Sequence, residues 1–218
     1  MEYTLRRSRR KSWAIEVRGG EVIVRGPMSL GRAAADRLVD GHRDWIERKL
    51  TEFALFRAAH PSRKVEFGGR FPIFGVEYEL KEGVRNGFDG AFRLHPDRAA
   101  DMPEALRKLY RELAKKLLPP KIEARAAAHG LTLGGVGISG ARKRWGSCSQ
   151  SGRVMLSWRL LLLPEELADF VIAHELAHLE EHNHSRSFYR VLEEIEPEWR
   201  VLEAKLKRIG LAQLDDWI

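Results

Sequence analysis

The chain has 218 residues, 44% hydrophobic and 32% charged, which excludes disordered, fibrous and membrane-embedded classes. The single Cys148 cannot close an internal disulfide, so the secreted disulfide-framework class falls away and a reducing, cytoplasmic location is expected. Thirty-eight Lys and Arg against thirty-one Asp and Glu leave a charge of +7, enough for weak association with nucleotides or nucleic acid through a basic surface.

The chain opens Met-Glu-Tyr-Thr-Leu and continues into Arg6, Arg7, Arg9, Arg10 and Lys11, with no apolar stretch of the kind a secretory signal needs. That basic run reads as the solvated face of a strand. Ile15 and Val17 alternate with charged residues, Gly19-Gly20 follows, and Val22-Ile23-Val24 resumes the alternation. This is the pattern of a β-hairpin. Ser29 is placed to cap a helix over 32–40, and after Gly41 an apolar stripe of Trp45, Ile46, Leu50, Phe53 and Leu55 continues to His60-Pro61.

From 65 to 94, short apolar pieces punctuated by Gly68-Gly69, Gly75, Asn86-Gly87 and Asp89-Gly90 predict a small antiparallel sheet. Pro103 then opens a long helix whose Leu106, Tyr110, Leu113, Leu117 and Leu118 keep helical spacing. Pro119-Pro120 should kink or break it, and Gly130 should end it. Strands at 136–138 and 154–158 flank a segment ending in turn chemistry. Pro164 is expected at the first helical position of a helix running to about Leu179. Ser185 should cap a further short helix, and Pro197 should start the last one, ending near Gly210. The densest apolar run, 156–164, is interrupted by Arg159 and is far shorter than the roughly 20 residues of a membrane helix.

Four of the eight histidines fall in His174-Glu175-Leu176-Ala177-His178-Leu179-Glu180-Glu181-His182-Asn183-His184. On a helix His174 and His178 are i and i+4, so both imidazoles leave one face and can reach a single ion at about 2.0–2.1 Å. Glu175 sits on the adjacent flank, where it can take a proton from water held by that ion. Chance occurrence of His-Glu-x-x-His in such a composition is on the order of 0.03 per chain, so the pattern is informative. A catalytic zinc takes three protein ligands, and His184 is the expected third. It lies beyond the reach of a straight helix, so the chain must turn, with Asn183 as a residue tolerant of left-handed geometry. His182, Glu180, Glu181, Glu193 and Glu194 are the alternatives. Arg144, Tyr189 and His182 are candidates for contact with substrate or transition state. Cys148 reads first as a small buried apolar residue.

The sequence resembles the YgjP-like metal-dependent hydrolases, relatives of the WLM and SprT-type zincin metallopeptidases. The resemblance is carried by Arg144-Trp145-Gly146-Ser147-Cys148-Ser149, by Trp158-Arg159-Leu160 with Pro164, by the histidine motif with Asn183-His184-Ser185 and Phe188, and more weakly by Arg7-Ser8-Arg9-Arg10, the hairpin and Trp45-Ile46. It implies an α+β fold: a β-hairpin with helix and a small antiparallel sheet (1–98), then a zincin-like core with the active-site helix (99–218). It also implies one zinc per chain on His174, His178 and His184, Glu175 as catalytic acid/base, and an edge strand aligning the substrate, for which 152–158 is the candidate. Glu181 stands where metzincins carry a turn glycine. The expected function is a zinc-dependent hydrolase, foremost a metallopeptidase acting on peptide or protein. The alternatives are a nucleoside triphosphate pyrophosphohydrolase and a DNA-associated SprT-like protease module.

Overall fold

The computed structural model describes residues 1–59 and 63–209, so the expected break at His60-Pro61 lies outside the described residues, while the last helix ends at Arg208, near Gly210 as expected. Contacts divide the chain into two compact units, one up to residue 62 and one from 63 onward. The functional division at 98/99 concerns where the chemistry resides and stays a proposal.

In the first unit, strands β1 (Thr4–Ser8), β2 (Ala14–Arg18) and β3 (Glu21–Pro27) precede helices α1 (Arg32–Gly41) and α2 (Arg43–Ala59). The hairpin is present: β2 pairs antiparallel with β3, and Gly19 and Gly20 both adopt positive φ, the backbone that a two-residue hairpin turn requires. The basic segment adds β1 parallel to β3, its arginines mostly solvent-facing. Tyr3, Val22, Val24, Ala35, Val39 and Ile46 form the core of this unit. Ser29 does not cap α1. It sits inside a turn closed by Leu30 N–H to the Pro27 carbonyl (3.0 Å), and Gly31 occupies the cap position without a side-chain bond.

The second unit begins with β4 (Arg70–Ile73), β5 (Val76–Glu82), β6 (Gly87–Phe88) and β7 (Phe92–Leu94), in the order β4-β5-β7-β6. Two of its pairings are antiparallel as expected, while β5 and β7 run parallel. Helix α3 (Met102–Ala128) follows. Its Tyr110 donates a hydrogen bond to the Pro72 carbonyl (2.6 Å) and lies between the rings of Phe92 and Trp158, which ties helix to sheet. Pro119 and Pro120 do not break α3. The carbonyls they deprive of a donor belong to Lys115 and Lys116, both exposed, where water can replace the bond. Leu118 just before the prolines and Ile122 and Ala126 beyond them are buried, on the stripe begun by Leu106, Tyr110 and Ala114. Gly130 terminates the helix as expected: it takes φ +66°, and the Leu131 N–H reaches back to the Ala126 carbonyl at 2.9 Å.

Strands β8 (Gly135–Ser139), β9 (Gly146–Cys148) and β10 (Arg153–Ser157) form a sheet ordered β8-β10-β9. The expected edge strand, β10, is therefore the central one, paired parallel with β8 and antiparallel with β9. The edge nearest the histidine helix is β9. Helices α4 (Glu165–Ala177), α5 (Arg186–Ile195) and α6 (Trp199–Arg208) complete the unit. Pro164 is the cap of α4 rather than its first residue, its carbonyl accepting the Leu167 and Ala168 N–H groups. Leu167, Ala168, Phe170, Val171, Ile172, Ala173, Leu176 and Ala177 are all buried, so α4 is a core helix apolar on nearly every side. Among the described residues no helix is long and apolar enough to cross a membrane.

Replacing exposed Pro120 by Ala returns an N–H donor to the Lys116 carbonyl. Thermal unfolding of Pro120→Ala should show a gain of about 1 kcal/mol; a loss would mean that the proline is required where it stands.

Candidate active site

Helix α4 ends at Ala177, with His178 as its C-cap, two residues short of the expected end. His174 therefore projects from the last turn, His178 from the cap, and the chain is released to return. It does so without a left-handed residue: Phe74 is the one described non-glycine with positive φ, so Asn183 does not use the geometry expected of it. Ser185 then caps α5 as expected, its hydroxyl accepting the Phe188 N–H at 3.3 Å.

The result is a cluster in which ligand atoms of His174, His178 and His184 all lie within 4.8 Å of one another. Phe188, fully buried, lies with its centroid 5.0, 4.6 and 4.7 Å from the three imidazole rings. It is the surface on which they are set. His178 Nδ1 lies 2.9 Å from the Glu181 carbonyl; a carbonyl only accepts, so Nδ1 carries the proton and Nε2 keeps the free lone pair. The Glu181 carboxylate accepts the Ser185 hydroxyl at 3.0 Å. Glu181 thus orients two neighbours. Glu180, Glu181, His182, Glu193 and Glu194 are not in the described metal-capable cluster. Glu193 is instead paired with Arg200 at 2.6 Å.

The donor set fits a metal ion. His174 Nε2 and His184 Nε2 are 3.1 Å apart, close to the about 3.3 Å that tetrahedral coordination at 2.0–2.1 Å implies. Two bare lone pairs at that distance repel, and a cation or a shared proton relieves them. Burial, then the charges of His178 and His184, depress the His174 pKa to about 4, which favours the neutral imidazole that a metal requires. His178 is lowered chiefly by burial, against the opposing effect of its bond to Glu181.

Glu175 is 5% exposed, and its Oε2 has no hydrogen-bond partner. Burial raises its pKa to about 8, with the Arg144 guanidinium pulling in the other direction. A carboxyl tuned near neutrality in a polar cluster suits proton transfer in both directions. Gly146, on β9, lies against it: a Cβ at that position would stand 2.5–2.7 Å from Glu175 Oε1, Cγ and Cδ. The Trp145 carbonyl accepts the Ser157 N–H and the Ser149 N–H donates to the Arg153 carbonyl, so with Ser147 opposite Met155 antiparallel alternation points the N–H and C=O groups of Gly146 and Cys148 away from β10. Cys148 is half-buried, and its thiol pKa is raised by burial and by Glu175.

A cavity of about 310 Å³ adjoins His174 and Glu175, lined by residues that include Arg144, Trp145, Phe170 and Leu206. Arg144 is thus beside the candidate acid/base. Tyr189 stacks on Trp199 (4.8 Å, 23°), with its ring 6.5 Å from that of His184, and His182 is exposed. The sequence reading missed Gly146 as a neighbour of Glu175 and the whole contribution of α6. Phe170 and Val171 were readable as the residues one helical turn before His174 and Glu175. Pro197 signals the helix α6 itself, but nothing local signals that Glu203, Leu206 and Lys207 line this cavity.

Comparison with protein families matches the YgjP-like, metallopeptidase domain over residues 11–209. The chain belongs to the YgjP-like family. It is accordingly a hydrolase of metallopeptidase type, with the α+β fold expected. No curated protein matches it. Among solved structures, the metallopeptidase zymogen of Pyrococcus abyssi abylysin is 28% identical, covering 39% of this chain and 87% of that one, with a TM-score of 0.36; nothing further is built on that likeness.

The contact between Gly146 and Glu175 makes a specific prediction. Gly146→Ala should displace the carboxylate and lower kcat by about ten-fold or more, in line with the sensitivity of catalysis to ångström-scale misplacement, while bound metal per chain stays unchanged. Unaltered kcat would show that Glu175 tolerates the displacement or does not act.

Proposed function

We propose that the protein is a zinc-dependent metallopeptidase in which His174, His178 and His184 hold one zinc ion and Glu175 is the catalytic acid/base. The observation that carries this reading is the convergence of three imidazoles within 4.8 Å beside a buried carboxylate. Imidazole-only donors favour zinc over the oxygen-loving cations, and the bond from His178 to a backbone carbonyl is the outer support that metal-bound imidazoles commonly have.

Zinc bound there supplies Lewis acidity, drawing the pKa of a water toward about 7 and polarising a carbonyl. Glu175 receives the proton from the attacking water on its carboxylate and returns it to the departing amine. A nearby dication favours the charged form of Glu175 and so prepares it to accept. Gly146 keeps the carboxylate in line, and the outward N–H and C=O groups of Gly146 and Cys148 offer an extended peptide a strand to pair with. That role passes from 152–158 to β9.

The cavity favours peptide over nucleotide. A triphosphate calls for several converging cations, whereas Phe170, Val171 and Leu206 make much of the wall and Lys207 is paired with Glu203 at 2.8 Å. Neither the pyrophosphohydrolase nor the DNA-associated reading has an observation of comparable weight.

Metal analysis of purified protein together with hydrolysis of an unfolded casein tests the proposal. About one zinc per chain is expected, Glu175→Gln retaining zinc but losing about 100-fold or more in kcat, and His178→Ala losing both. Glu175-dependent pyrophosphate release without proteolysis would move the assignment to nucleotides, and a chain that binds no zinc when supplied with it would overturn the histidine assignment.

A further inference from the structure

The cavity beside Glu175 has three walls. Helix α4 gives Phe170 and Val171, one turn before His174 and Glu175; α6 gives Glu203, Leu206 and Lys207; and the strand approach gives Arg144, Trp145 and Gly146. Its position is therefore next to the reacting bond. Phe170 and Val171 are each 3% exposed and Leu206 is 9% exposed, so the floor is closed and apolar. At about 310 Å³ it is at the small end of the roughly 300–1,000 Å³ typical of ligand pockets. One large side chain suits it.

Its charges are unequal. Lys207 and Glu203 neutralise each other across 2.8 Å, and Glu175 is the candidate acid/base. Arg144 is exposed and has neither a hydrogen bond nor an ion pair among the described residues. The backbone on either side of it is fixed. Buried Arg159 donates from Nη1 to the Gly140 and Ala141 carbonyls, at 3.3 Å each, and the Trp145 carbonyl accepts the Ser157 N–H at 2.7 Å. A guanidinium anchored at its root, attracted to the Glu175 carboxyl but with no hydrogen bond or ion pair at its tip, on the rim of an apolar pocket, is arranged to receive a carboxylate from outside the chain. The unpaired backbone edge at Gly146 places an extended peptide alongside the same rim.

We propose that this cavity recognises a peptide residue with a large apolar side chain, and that Arg144 pairs with a carboxylate next to that side chain, either the C-terminal carboxylate of that residue or the side chain of an acidic neighbour. The proposal rests on the metallopeptidase reading and adds to it a substrate class: peptides whose apolar residue beside the scissile bond is accompanied by negative charge. Arg144 is then a specificity-determining residue in direct contact with substrate.

The test separates this from the metallopeptidase reading by measuring binding without turnover. Zinc-loaded, full-length Glu175→Gln protein is titrated by fluorescence polarisation with four labelled peptides: one ending in Phe with a free carboxylate, its C-terminal amide, an amide peptide carrying Phe-Asp, and the free acid with Ala in place of Phe. The Phe acid should bind about ten-fold more tightly than its amide, the equivalent of one charge-assisted contact, and more tightly than the Ala acid. Adding Arg144→Ala should erase the advantage over the amide, and Arg144→Lys should restore part of it. Recovery of tight binding by the Phe-Asp amide would identify an acidic side chain as the source, and its absence would identify the chain terminus. Equal binding of acid and amide, a preference that survives Arg144→Ala, or no binding of any peptide would overturn the proposal. Casein hydrolysis by the wild-type protein reports on the metallopeptidase assignment separately.

Discussion

Three imidazoles can face one point only if the helix that carries two of them stops on time. His174 and His178 are one turn apart, and a helix continuing past His178 would carry His184 off on its own face. The C-cap at His178 ends that course. The same release lets the Glu181 carbonyl turn back to His178 Nδ1 and lets Ser185 begin the helix whose Phe188 underlies all three rings. One chain reversal thus fixes the tautomer of His178, the position of His184 and the apolar support of the cluster.

The reversal is held in place by a helix buried on almost all sides. Burial makes α4 stable and simultaneously makes its polar residues unusual: His174 is pushed toward the neutral form and Glu175 toward the acid, the latter with an oxygen that finds no partner. Such a group costs stability unless a ligand compensates it. Violations of this kind concentrate where chemistry is done, and here they coincide with the edge of β9 and the mouth of the cavity. Gly146 joins the two features, because its lack of a side chain both admits Glu175 and leaves the strand edge open to an extended peptide.

What could be read from the sequence follows the range of the interactions involved. The i, i+4 pair of histidines, the Gly19-Gly20 turn, the Gly130 helix end and the Ser185 cap are decided within a few residues, and each has a local signature. The third histidine is legible as a requirement of coordination number, although the turn leading to it is made by a helix end and not by the left-handed Asn183 expected. Pairing partners are non-local. Nothing in 152–158 states that it will be flanked on both sides, nor in 76–94 that two strands will run parallel. The persistence of α3 through Pro119-Pro120 depends on Leu118, Ile122 and Ala126 finding a core, which outweighs two solvent-facing bonds. The wall that α6 contributes to the cavity is a tertiary fact of the same kind.

The central claim is that His174, His178 and His184 together hold one zinc ion. X-ray absorption at the zinc edge on the zinc-loaded wild-type protein tests it most directly. The account predicts three imidazole nitrogens at about 2.0–2.1 Å with a lighter oxygen neighbour and no sulfur. A sulfur neighbour near 2.3 Å, which would implicate Cys148, or fewer than three imidazoles around the metal, would contradict it.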